Sequence, residues 1–215
     1  MGLVLVGIAF LVISGGTVIL ERLGAGLAWG AWLGSHAIGL VILGTVCLLG
    51  QNHGRLSLAA FGLRRPRTSW PLALFLAGAA LSISIGFTAL YALAMKPLGI
   101  DLLLPPDVPK EVVFNGYAAV WTFEALAGWT PLTEEIFFRG FVMPGLVARW
   151  GVVGAAVGSA IIFSLFHLHP GVIVPIFFTG LLLAALYHVT GSLWPPVIAH
   201  AAQNTVALLA IIYGG

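Results

Sequence analysis

The stretch Gly2–Leu20 reads GLVLVGIAFLVISGGTVIL and holds no charge. A bilayer crossing takes about 20 apolar residues in a helix, so this one run is long enough to span. The same texture recurs along the chain, over Leu27–Gly50, over Pro71–Met95, and from Val112 to the end. Of the 215 residues 60% are hydrophobic and 7% charged, against roughly 25% charged in an average soluble domain. So few charges cannot furnish a water-facing surface. No stretch between the runs is large enough for a soluble domain. The region after Val112 is interrupted at Pro131, at Arg149-Trp150-Gly151, at His169-Pro170-Gly171 and at Thr190-Gly191-Ser192, which divides it into roughly four more pieces. The predicted fold is therefore all-α, a polytopic transmembrane helix bundle of about seven hydrophobic helical pieces. It forms a single membrane domain over residues 1–215, with a motif-bearing core at about 112–213.

Charge placement supplies the expected orientation. Arg55, Arg64, Arg65 and Arg67 make the one dense basic stretch, between Gln51 and Trp70. By the positive-inside rule it faces the cytoplasm, which puts the amino terminus there and the Glu21-Arg22 turn outside. The loop with Asp101, Asp107 and Glu111 against Lys96 and Lys110 suits the outer side. Leu56 to Leu63 reads as a short interfacial segment. The first run lacks the basic residues that precede a secretory signal core, so it is expected to be retained as a helix. Val6 stands where a myristoylation signal needs Ser or Thr, and the last residues hold no cysteine for prenylation, so no lipid on the chain itself is expected. The expected location is the cytoplasmic (inner) membrane.

Several function classes drop out. The net charge of +2 and pI near 9.0 come from basic residues scattered among loops, which make no basic face for nucleic acid. Cys47 is the only cysteine, so an intrachain disulfide or cysteine metal cluster cannot form. Gly151, Gly154, Ala155 and Gly158 suit close helix contact in lipid. They do not read as a phosphate loop, since no Lys follows and no strand precedes.

Ionisable groups within apolar spans cost at least ~2.5 kcal/mol each on insertion scales, and they cluster in three places. The first is Thr133-Glu134-Glu135-Ile136-Phe137-Phe138-Arg139-Gly140, the second Phe163-Ser164-Leu165-Phe166-His167, and the third His200-Ala201-Ala202-Gln203-Asn204. On an α-helix residues four apart share a face. Glu135 can then pair with Arg139, while Glu134, about 100° round the helix, points elsewhere. His200 and Asn204 project together, and His167 presents an imidazole from another helix. A carboxylate, two imidazoles and an amide converging in a dry cavity suit hydrolysis by activated water. Glu134 would be the general base, His167 would position the water or pass its proton to the leaving amine, and His200 and Asn204 would donate to the oxyanion. The bland readings are a Glu-Arg clamp and packed histidines. His36 is read as packed, His169 and His188 as interfacial. Glu124 has nothing at helical spacing to pair with. The combination of three motifs favours chemistry.

That ordered set, Glu134-Glu135-x-x-x-Arg139, Phe163-x-x-x-His167 and His200-x-x-x-Asn204, resembles the signature of the CPBP intramembrane proteases, the family of CAAX prenyl endopeptidases and bacteriocin-processing or self-immunity proteins. The likeness covers about Thr130 to Asn204. It implies an intramembrane endopeptidase, with Glu134, His167, His200 and Asn204 catalytic and Glu135 and Arg139 supporting, and a peptide or protein substrate, lipidated or membrane-associated members of that class included. A metal-free Glu/His mechanism is favoured, with no cofactor. The alternative is zinc held by Glu134, His167 and His200; the usual His-Glu-x-x-His helix is absent. Outside proteolysis, a transporter or a non-catalytic immunity or partner-binding membrane protein would also place such groups in a membrane.

Overall fold

The computed structural model describes residues 2–51, 59 and 61–214. Arg55 and half of the interfacial segment expected over Leu56 to Leu63 lie outside the described residues. The described chain is helical throughout, with 3-10 and π turns and no strand. Six helical stretches are long and apolar enough to cross a membrane, near the expected seven, and the protein is an integral membrane protein. The helices are α1 (Gly2–Arg22), α2 (Leu27–Gln51), α3 (Trp70–Met95), α4 (Ala119–Phe123), α5 (Thr130–Glu135), α6 (Met143–Leu165), α7 (Pro170–Thr190) and α8 (Trp194–Tyr213). They gather into two compact units. One comprises Met1–Ser57, Val108–Phe137 and Ala201–Gly215, the other Leu58–Asp107 and Phe138–His200.

Three of the four expected interruptions are where the sequence puts them. Gly151 stands at φ 65°, ψ 178° and kinks α6, a conformation that costs glycine alone little. Pro170 opens α7, and Gly191 closes it in the left-handed conformation, the usual glycine end of a helix. The fourth differs. The chain stays helical through Pro131, because the six residues before α5, Glu124–Trp129, form a π-helix. Proline lacks the N–H of the helical ladder and its ring crowds the carbonyl one turn back. A wider turn just upstream accommodates both effects. The chain is therefore helical from Gly116 past Pro131 to the kink at Gly151, and again from there to Leu165, with a second π segment at Ile136–Val142.

In the first unit α1 packs along α2. A small apolar core of Val113, Ala127 and Leu208 ties the π turn to the end of α8. In the second unit α7 is the shared wall, packed against both α6 and α3. Gly180 of α7 faces Ala160 of α6 so closely that a Cβ there would stand 3.1 Å from it, the small-residue contact that brings helices together where lipid offers no hydrophobic drive. A buried Ser84–Thr179 hydroxyl pair at 2.6 Å and stacked Phe87 and Phe178 rings join α3 to α7.

Candidate active site

In the first unit α5 carries the paired glutamates. Glu135 is fully buried and Glu134 half-buried. Thr133, also buried, turns its hydroxyl back to the carbonyls of Trp129 and Thr130 at 3.0 and 3.1 Å, so it needs no partner outside its helix. Asn204, on α8, donates from Nδ2 to the Leu126 carbonyl at 2.8 Å. Because a carbonyl only accepts, this bond fixes which way the amide faces. The nitrogen has a second N–H to give.

The π turn Glu124–Trp129 that supplies this carbonyl is held at both ends by α2. Trp129 Nε1 donates to the Ser35 carbonyl at 3.2 Å, its indole lying where Gly39 has no side chain. At the other end Glu124 Oε2 accepts from Trp32 Nε1 at 3.2 Å, and Oε1 lies 3.2 Å from His36 Nε2. His36 Nδ1 donates to the Trp32 carbonyl at 2.8 Å, so the Nε2–Oε1 contact closes only with a proton between the two atoms. The imidazole stacks on Trp129 with 10° between the planes. Glu124 thus has partners, though none at helical spacing on its own element. They sit 88 and 92 residues away, where periodicity along one helix gives no sign of them.

In the second unit three of the expected residues meet on one ring. Phe163, on α6, is buried. The Arg139 guanidinium lies 4.6 Å above its centroid, and the His167 and His200 rings stand edge-on to it at 5.1 and 5.7 Å. In the sequence Phe163 is only the start of a motif. The structure makes it the surface on which a cation and two imidazoles are set. Its spacing of four from His167 was the available signal. Arg139 is fully buried and donates from Nη2 to the Gly180 carbonyl on α7 at 3.0 Å. It sits in the second π segment, so its spacing from Glu135 crosses a junction between helix types and is not the plain α-helical interval assumed from the sequence. That segment too has a carbonyl taken by another helix, Phe138 accepting from Ser159 Oγ at 3.0 Å.

His200 is buried on α8. His167, expected on a helix, stands one step beyond: α6 ends at Leu165 and His167 occupies the following turn, exposed. The cause is local. His169, the residue before a proline, avoids the helical region and is extended at φ −114°, ψ 119°, and Leu168 takes φ 54°, uncommon for a residue with a side chain, so the chain is out of the helix before Pro170. His167 Nδ1 donates to the Phe163 carbonyl at 3.0 Å, which makes Nε2 the acceptor nitrogen of the neutral ring. His169 is the reverse. Its Nδ1 accepts from the Gly171 amide at 3.2 Å as the cap of α7. Among the described residues no group of three or more His, Cys, Asp or Glu side chains is placed to hold a metal ion.

A transmembrane helical chain with carboxylates, imidazoles and a buried guanidinium in its apolar interior fits the class of intramembrane hydrolases. Residues 116–206 match the family described as type II CAAX prenyl endopeptidase Rce1-like, and all six residues singled out fall inside that segment. No curated protein and no solved structure matches the chain significantly. The matched segment, which is under half of the chain, is similar to the CAAX-protease type of intramembrane endopeptidase.

Proposed function

We propose that the protein cleaves a peptide bond within the membrane by a metal-free Glu/His mechanism, residues 1–215 acting as one membrane domain whose core is 112–213. Glu134 takes the proton from water as it attacks the carbonyl. His167, through Nε2, positions that water or passes the proton to the leaving amine. His200 and Asn204 donate hydrogen bonds to the oxyanion, each well-placed donor contributing ~3 kcal/mol. Glu135 and Arg139 support the site. The observation that carries the reading is that the family match spans every one of these residues. The grouping of Arg139, His167 and His200 on Phe163 and the fixed amide of Asn204 support it. The substrate is a peptide or protein, lipidated or membrane-associated ones included, and the test is a comparison of protein termini in cells carrying the native chain or Glu134→Ala. A set of termini should vanish in the variant. Identical termini would count against proteolysis.

The chain sits in the cytoplasmic membrane with the loop of Arg64, Arg65 and Arg67 and the amino terminus on the inner side, following the basic bias. Cysteine introduced as Arg65→Cys in a Cys47→Ser background should react with an impermeant thiol reagent only after the membrane is opened. Labelling of intact cells would reverse the orientation.

A further inference from the structure

At the carboxyl end of α7, in the second unit, an open cavity of about 150 Å³ is lined by Arg64, Arg67 and His188 together with Tyr187 and the apolar side chains of Met143, Pro144, Val147 and Val152. The two arginines are not loosely placed. Arg64 donates from Nε to the Gly191 carbonyl at 2.8 Å, and its own carbonyl accepts from Ser192 Oγ at 2.5 Å. The Arg67 amide bonds to the Thr190 carbonyl at 2.7 Å, and its side chain lies across Gly191, where a Cβ would come within 2.6 Å of Nε. Capping α7 therefore engages one guanidinium N–H of Arg64, out of five on each arginine.

Among the described residues neither guanidinium is in an ion pair. The only carboxylates of this unit are Asp101 and Asp107. Asp101 opens the 3-10 turn that packs on α7, and Leu104 just after it lies against Gly171 in the first turn of α7, roughly 30 Å along the helix from the cavity. Arg65 and Arg149 add to the positive end. Trp70, Trp150 and Trp194, all exposed, stand within a few residues of the cavity lining in the chain, the aromatic belt expected at headgroup depth.

The geometry points to a binding site for a phosphate-bearing anion presented by a lipid, an anionic phospholipid headgroup held by Arg64 and Arg67 with its glycerol and upper acyl segment against Met143, Pro144, Val147 and Val152. Basic pockets at helix ends hold headgroups in this way, and the apolar wall is what favours a lipid over the free ion. None of the lining residues is among the proposed proteolytic residues, and the site does not depend on their roles.

The test uses the detergent-purified full chain and three probes, dihexanoyl phosphatidylglycerol, dihexanoyl phosphatidylcholine and inorganic phosphate, read by thermal shift and native mass spectrometry. Phosphatidylglycerol should stabilise the protein and stay attached at concentrations where phosphatidylcholine does neither. Arg64→Gln and Arg67→Gln should each weaken it by about fivefold, the worth of one cation near an anionic headgroup. Should these variants fold poorly, Val152→Glu, which sets a carboxylate in the cavity wall while keeping both arginines, should remove the preference. Equal binding of the two lipids, or undiminished phosphatidylglycerol binding in the variants, would overturn the site. Inorganic phosphate that matches phosphatidylglycerol at equal concentration would overturn the lipid assignment.

Discussion

Glu134→Gln should abolish cleavage while leaving the protein folded and inserted. Glutamine keeps the size and most of the hydrogen bonding of glutamate but cannot take a proton from water. A general base contributes typically 10²-fold or more, so turnover should fall by at least about that factor, with little change in KM if the carboxylate acts in the chemical step. Glu134 is half-buried on α5, beside Glu135, which is fully buried, so the neutral amide is tolerated at 134. A chelator should leave the native enzyme nearly unaffected. Activity in Glu134→Gln equal to native would remove this residue from the mechanism. Activity lost to a chelator and restored by zinc would keep the protease and exchange the metal-free mechanism for one with Glu134, His167 and His200 as ligands.

The second large effect is on stability. Arg139→Ala should destabilise the protein by roughly 3–5 kcal/mol, as expected when a buried charged side chain with specific partners is removed. Two losses add. The Gly180 carbonyl, which accepts from Nη2 in addition to its place in the α7 ladder, loses a charge-assisted hydrogen bond, about 1.5–3 kcal/mol. The space over the Phe138 and Phe163 rings becomes a cavity. Arg139→Lys keeps the charge but not the planar fork, so it should fall between. Unfolding in mixed micelles measures this directly. A change below about 1 kcal/mol in Arg139→Ala would show that the pin to α7 is dispensable.

Much of the architecture is legible from the residues because a bilayer permits few solutions. Apolar runs such as Gly2–Leu20 and Leu27–Gly50 became α1 and α2 almost to the residue, since backbone groups in lipid must be satisfied within their own segment. The kink at Gly151 and the ends at Pro170 and Gly191 follow from dihedral preferences that act locally. Pro131 was misleading because the consequence of a proline depends on the turn before it, and a π turn has no compositional signature in Glu124–Trp129. His167 stands off its helix in a turn marked by the positive φ of Leu168, which its spacing from Phe163 does not reveal. His36 and Glu124 were read separately, as a packed imidazole and an unpartnered acid, because their contact joins α2 to a turn far along the chain. Spacing reveals partners on one element and is blind to those on two.

The two π segments make the middle of this chain sensitive to its length more than to its composition. Each holds about one residue more than an α-helical turn would. A single-residue deletion within Glu124–Trp129 would let an ordinary helix form, with a sound hydrogen-bond ladder and the same apolar surface. Because the wide turn already absorbs the extra residue, Glu134 and Glu135 beyond it would stay close to their present faces, while the opening that leaves the Leu126 carbonyl to Asn204 would be lost. Substitutions that keep the residue count can repack in place. A shortened chain would be a well-formed helix without the wide turn that serves Asn204.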